Sequence, residues 1–278
     1  MTSRFLAVYC AVVALFSWPR PSAAQTSPEA EIVRNYLGVG RIKWQLPKSF
    51  DHYFAVPEFT AGPRIKCKGP NQDCQIIVTS RDITVTLEQR RAELISNVAP
   101  HLQQSEEKTV QPRSFGTRPE VLYITLTDSR PKPGEFRLYT TGFSINGPAV
   151  IKFEHFSSTA REVQSVLDIV QSAKTIDAHE VWAWRLNDYK IVCEERYPAY
   201  KSANDSAFRA SAFSSVDILR FWQASWLSLS AEQVHKNLDD GRLYYAKTFD
   251  NLSVEERRRF CQSFPSSVKE AAKDLPPK

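Results

Sequence analysis

Cysteine carries the most legible chemistry in this chain. Five cysteines occur, and Cys10 sits inside an apolar opening segment, which leaves Cys67, Cys74, Cys193 and Cys261. Four thiols could hold zinc, exchange electrons or form two disulfides. A zinc site wants four nitrogen or sulfur ligands, commonly in C-x₂₋₄-C pairs whose neighbouring thiolates point at one ion. Here the gaps are six residues and 67 residues. No C-x-x-C is present, so redox exchange lacks its usual motif. Two disulfides remain, and of the three connectivities that four cysteines allow, Cys67–Cys74 and Cys193–Cys261 keep each bridge within one compositional region. Gly69-Pro70-Asn71 lets the chain reverse between the first pair. No metal and no cofactor are expected.

The five histidines offer no complete constellation. Asp51 and His52 are adjacent, but the members of a Ser-His-Asp triad meet in space rather than in sequence, and no G-x-S-x-G elbow supplies a nucleophile. His155 falls in an alternating segment between Phe153 and Phe156, where a histidine satisfied within a strand is expected. His235 and Asp239 are four apart, with Asp240 adjacent, yet a metal needs a further ligand and no H-E-x-x-H occurs. His179 opens "HEVW", which lacks the second histidine of that motif. G-x-G-x-x-G and the phosphate-loop motif are absent too, and only nine glycines occur. Glu194-Glu195 and Glu255-Glu256 are carboxylate pairs, but glycoside hydrolysis needs carboxylates facing each other across a cleft. A hydrolase using Asp51, His52 and His155 is the enzymatic alternative to a non-catalytic protein.

Aromatic residues cluster in the second half. Trp182 and Trp184 are two apart, Trp222 and Trp226 four apart, with Tyr244, Tyr245 and Phe249 downstream. Such rings can stack on sugars, peptides or apolar ligands, or simply form a core. Core packing is the expectation for all four tryptophans, and ligand contact the alternative. Arg257-Arg258-Arg259 beside two glutamates reads as a solvated helix face. Asn204 and Asn251 each begin an N-x-[ST] sequon.

The first 24 residues read as a secretory signal peptide. Arg4 precedes the apolar run FLAVYCAVVALFSW, Pro19 and Arg20 end it, and Ser22-Ala23-Ala24 places small residues before Gln25. An uncleaved anchor is the alternative, but the run is short of the about 20 residues a span requires. Losing Arg4 and Arg20 with the leader lowers the formal charge from +5 to +3. That excess is too small to argue for nucleic acid. No later run approaches a span, so a soluble secreted or periplasmic protein without stable membrane insertion is expected.

These residues need elements to position them. Gln75 begins a short strand, "QIIVTS". The spacing predicts a helix over 86–104, opened by a capping box at Thr86 and Gln89 and interrupted by Pro100. Strand patterns begin at Val121, Glu135 and Ala149, separated by turns at Pro131-Lys132-Pro133-Gly134 and Asn146-Gly147-Pro148. A second amphipathic helix follows, with Thr159 and Glu162 at capping-box spacing and Val163, Val166, Leu167 and Val170 on one face. Strands joined by short turns imply an antiparallel sheet, and the two helices would cover it.

This order of elements, closing on "GPAVIKFEHF…VQSVLDIVQSAKTI", resembles the PsbP-like and DcrB-like α/β/α sandwich over residues 33–176. The resemblance implies a binding or assembly module and carries no shared catalytic residue.

The character changes near Ile176, and a boundary is expected at 177–187. Residues 27–176 would form an α+β sandwich domain and residues 188–278 a small all-α domain tied by a disulfide. Helix starts are predicted at Ser230-x-x-Gln233 and Ser253-x-x-Glu256. Gly241 is expected to cap the first of these helices and Pro265 to stop the second, so that Cys193–Cys261 would tie the first and penultimate helices. The sum is an exported, non-catalytic binding or assembly factor of the cell envelope. Its partner would be an envelope or extracellular protein or ligand.

Overall fold

The structure is a computed structural model that describes residues 29–36, 39–47, 53–55, 64–69, 72–82, 85–225, 230–273 and 275. The leader, Asp51, His52 and Trp226 lie outside the described residues, and of Cys67 only the backbone is described.

Strands β1 (Glu29–Tyr36) and β2 (Gly40–Pro47) form an antiparallel pair. β2 alternates: Ile42, Trp44 and Leu46 are buried while Arg41 and Gln45 face water. Strands β3 (Tyr53–Ala55), β4 (Arg64–Gly69) and β5 (Gln72–Ser80) follow. Helix α1 (Leu87–Val98) then carries the chain to the far side of the sheet. There β6 (Arg113–Phe115), β7 (Val121–Thr127), β8 (Leu138–Asn146) and β9 (Ala149–Ser157) form a meander. Helix α2 (Ala160–Ser172) and the two-residue β10 (Lys174–Thr175) close this half.

The larger sheet has the order β3-β4-β5-β9-β8-β7-β6 and is antiparallel throughout. The second sheet has the order β1-β2-β10. Period-two alternation sends the residues of each central strand to both faces. On one face Ile76, Val78, Ile151 and Phe153 meet Val166, Leu167 and Val170 of α2, with Ile42, Trp44 and Leu46 of β2 in the same core. On the other, Leu122, Ile124, Leu126, Phe143 and Val150 meet Leu94 and Val98 of α1. Both predicted capping boxes form, at Thr86 with Gln89 and at Thr159 with Glu162. Pro100 ends α1 as its missing N–H requires, and the chain tightens into a 3-10 turn over Ala99–Gln103.

The second half is helical: α3 (Ala178–Arg196), α4 (Lys201–Arg209), α5 (Ile218–Ser225), α6 (Ala231–Asp250) and α7 (Val254–Lys273). The fold class is therefore the α+β one that the element order implies. Ser230 and Gln233 exchange hydrogen bonds at the start of α6, as do Ser253 and Glu256 at the start of α7.

Two expected helix ends are corrected. Gly241 does not cap α6, which continues to Asp250. A glycine inside a helix costs about 1 kcal/mol against alanine, less than the burial of Val234 and Phe249 on either side returns. Pro265 does not stop α7 either. Its cost of about 3 kcal/mol is met by the buried face that brackets it, Phe260, Cys261, Phe264, Val268 and Ala271. Cys193 is bonded to Cys261, so the bridge joins the first and last of these helices rather than the first and penultimate.

The stretch 177–187 runs from Asp177, the N-cap of α3, through the first turns of that helix. From Val181 to Leu186 every residue is buried. A helix apolar all round belongs in an interior. One side of α3 meets the ends of β5 and β9, and the others meet α4, α5, α6 and α7.

Candidate functional site

The meeting of β5, the β8–β9 turn and α3 is built around one buried cation. Arg185 is 1% exposed in an otherwise apolar stretch of α3. A buried guanidinium must find acceptors. It donates from Nη1 to the Pro148 carbonyl at 3.1 Å and from Nη2 to the carbonyl of Arg81. Both acceptors sit where ladder pairing has run out, beyond the last residues of β5 and at the turn before β9. The Arg81 amide also donates to the Pro148 carbonyl, at 2.7 Å. One helical turn before Arg185, the fully buried Trp182 receives both guanidiniums against its ring. Arg185 lies 5.1 Å and Arg81 5.8 Å from the ring centroid, within the range of a cation–π contact.

A cleft of about 300 Å³ opens beside this group. Arg81 and Trp182 form one side, and Ser263, Ser266, Ser267, Glu270 and Ala271 of α7 form the other. Positions 263, 266, 267 and 270 follow the i, i+3, i+4, i+7 rule, so they share one helix face. The buried α7 residues Phe260, Cys261, Phe264 and Val268 hold that face toward the cleft. Ser263 donates its hydroxyl to the Phe260 carbonyl at 3.1 Å. Glu270 is paired with Lys273 at 2.6 Å. Among the described residues the lining offers a guanidinium, an indole, three hydroxyls and a carboxylate, and no histidine.

The other residues singled out by sequence lie elsewhere. Trp184 and Trp222 meet edge to face at 4.9 Å inside the helical core, so of the described tryptophans named above only Trp182 reaches the cleft. His155 is fully buried in the sheet, opposite Cys74 on β5 and Thr140 on β8. Its Nε2 is 3.1 Å from Gln72 Oε1, and burial lowers its pKa to about 4. His179 lies 3.1 Å from the Ala212 carbonyl. His235 is exposed, and Asp239 faces Arg242 at 4.0 Å. Among the described residues no group of three His, Cys, Asp or Glu side chains is placed to hold a metal ion. Of the two sequons, Asn204 is buried in α4 and Asn251 is exposed between α6 and α7.

Cys74 is disulfide-bonded and stands directly opposite Cys67 in the β4–β5 pairing.

Sequence reasoning missed Arg81, Arg185, the serine face and Asp188. Asp188 is 2% exposed, with Arg242 Nε 3.8 Å away. Burial raises its pKa to about 7 against the opposing pull of Arg242. A charge set among apolar neighbours, as in Trp184-Arg185-Leu186, was the available signal for the buried cation. The serine face was hidden by ending the helix at Pro265.

No protein family and no curated protein matches the sequence. Among solved structures, the chain resembles the solution structure of cyanobacterial PsbP from Synechocystis sp. PCC 6803. The TM-score is 0.36 and the identity 10%, over 55% of this chain and 95% of that one. The likeness assigns no role to any residue. Among the described residues, no helix is long and apolar enough to cross a membrane.

Proposed function

We propose that this chain is an exported, non-catalytic binding or assembly factor of the cell envelope that engages its partner at the cleft between Arg81 and α7. The lining of that cleft carries the reading. It holds hydrogen-bond donors, a cation and an aromatic edge in a volume of the size that binding sites occupy. Among the described residues no imidazole lines it and Glu270 is paired with Lys273, an arrangement that suits recognition rather than bond cleavage. His155, the catalytic candidate of the enzymatic alternative, is enclosed in the sheet. Export is supported by the leader pattern and by the Cys193–Cys261 bridge, since disulfides persist in oxidising compartments. The two regions, 27–176 and 188–278, would act as one unit, because Arg185 fastens α3 to the strand ends.

The test is a crosslinking pulldown from the native compartment with wild type and with Ser267→Trp, which fills the cleft from a partly exposed helix position. A partner held by wild type and lost from the variant is expected. Equal recovery by both proteins overturns the assignment to this cleft. Sequencing of the exported protein should give a mature start at Gln25.

A further inference from the structure

We infer that an aromatic row on the α1 face of the larger sheet binds a neutral oligosaccharide, with one sugar ring laid across Tyr139 and Phe156. Pro100 ends α1, and the 3-10 turn that follows lays His101 against Tyr139, with ring centroids 4.9 Å apart. Tyr139 and Phe156 stand directly opposite each other on β8 and β9, 5.0 Å apart, and Phe136 lies 6.4 Å from Phe156. Phe156 is 41% exposed, so the row reaches water. These rings border a cleft of about 140 Å³ that shares no residue with the one between Arg81 and α7.

Three features select a sugar. First, the rings leave no slot between them. A flat ligand held between two rings needs roughly 7 Å, twice a carbon–carbon contact distance, and the neighbouring centroids are closer than that. A ligand must therefore lie across the row. A pyranose does this with the C–H bonds of one face, while its hydroxyls project to the side. Second, the rim suits hydroxyls and carries no net charge. Asp128 Oδ1 accepts the Arg130 amide at 2.8 Å, which leaves Oδ2 as an acceptor. The Gln104 side-chain amide brings one donor group and one acceptor. Arg137 is 3.5 Å from Glu106 in a pair more than half exposed on both sides, so water or a ligand competes easily for its guanidinium. Asp128 and Arg137 balance each other, and the lining favours neither an anion nor a cation.

Third, the walls are fixed before any ligand arrives. The Glu106 amide donates to the Thr127 carbonyl and the Asp128 amide to the Arg137 carbonyl, both at 2.8 Å. The buried Ser105 hydroxyl bonds to the carbonyls of Leu102 and Glu107. Binding then orders little that is not ordered already. The cleft is smaller than the roughly 300–1,000 Å³ of a site that encloses a whole ligand, so it holds one ring and leaves the rest outside. Beyond Tyr139 the same face continues as a second, smaller cleft, lined by Asn97 of α1, Thr141 of β8 and Glu154 of β9. Period-two alternation puts Tyr139 with Thr141, and Glu154 with Phe156, on that face. An amide, a hydroxyl and a carboxylate thus extend the polar lining toward the next sugar unit.

The experiment is calorimetric titration of the full exported chain with maltotetraose, cellotetraose and tetra-N-acetylchitotetraose, and with tetragalacturonate as the charged comparison. Saturable binding of at least one neutral tetrasaccharide is expected, tighter than that of its own monosaccharide and of tetragalacturonate. Phe156→Ala, at an exposed position, should weaken binding by about tenfold with the thermal midpoint unchanged. Asp128→Asn keeps the oxygen that accepts the Arg130 amide and should weaken binding by several-fold. If Phe156→Ala lowers the midpoint, Asp128→Asn carries the test alone. Absence of saturable binding by all three neutral probes overturns the inference, as does tighter binding of tetragalacturonate. Binding that both variants leave unchanged overturns the assignment to this row, and equal affinity for tetramer and monomer overturns the reading of the ligand as a chain.

Discussion

Arg41 and Asp177 meet through three donors. The Arg41 amide donates to Asp177 Oδ2 at 2.9 Å, Nε donates to the same oxygen at 2.9 Å, and Nη2 donates to Oδ1 at 2.7 Å. Asp177 occupies the N-cap position of α3, but its carboxylate reaches across to β2 instead of capping its own helix. The carboxylate is almost fully buried and the guanidinium half exposed, so the two halves of the pair are not equivalent. Arg41→Met leaves a buried charge with only the backbone donor and should cost about 3 kcal/mol. Asp177→Ala frees a guanidinium that water can reach and should cost about 2 kcal/mol. Urea unfolding of both variants checks the order, and a larger loss in Asp177→Ala would contradict it.

The bridges should differ in weight. Cys193 and Cys261 are fully buried and 68 positions apart. Closing a loop of that size stabilises by roughly 4 kcal/mol on chain-entropy grounds, against roughly 2.5 kcal/mol for the loop between Cys67 and Cys74. Cys193→Ser should therefore lower the unfolding midpoint further than Cys67→Ser. Denatured, unreduced protein should show no free thiol. Four titratable thiols would refute both pairings.

Acid and base should strain different places. His155 has a pKa of about 4 in the fold and about 6.5 unfolded. Between those values the unfolded chain binds more protons, so stability falls as pH drops through this window. From pH 7 to pH 5 the loss is about 2 kcal/mol, and His155→Gln should remove that dependence.

Asp188 acts in the opposite sense. Its pKa is about 7 folded and about 3.9 unfolded, so the folded state keeps a proton that the unfolded chain gives up. Its contribution is full below about pH 4 and is lost as pH rises toward 7. Asp188→Asn mimics the protonated form. Relative to wild type it should gain about 2–3 kcal/mol in stability between pH 5 and pH 8. Parallel stability–pH curves for variant and wild type would sink this assignment.

Gly142 sits on β8 between Tyr123 of β7 and Phe153 of β9. A methyl group there would overlap the Leu122 carbonyl oxygen and crowd the Tyr123 Cβ and the Phe153 ring. The carbonyl belongs to a paired strand and cannot turn aside. Gly142→Ala should cost about 3 kcal/mol. Gly134 has a positive φ of 85° but open space around it, so Gly134→Ala should cost about 1 kcal/mol. Thermal unfolding of the two variants tests the contrast.

The chain itself determined the elements whose causes are local. Thr86 with Gln89, Thr159 with Glu162, Ser230 with Gln233 and Ser253 with Glu256 each mark a helix start, because a cap and its helix are covalent neighbours. The two-faced sheet followed from period-two alternation with helices of apolar stripe on either side, and the pairing of Cys193 with Cys261 from composition. Tertiary contact decided what local preference opposes. α7 runs through Pro265 and α6 through Gly241 because burial on both sides outweighs a single unfavourable residue. Only the folded chain brings Arg81, Trp182 and Ser267 to one cleft, since they lie 186 positions apart from first to last. No spacing rule spans that distance. Arg185 directly follows Trp184 in an otherwise apolar run, which marks it as unusual, but its partners are backbone carbonyls, which leave no mark on the sequence.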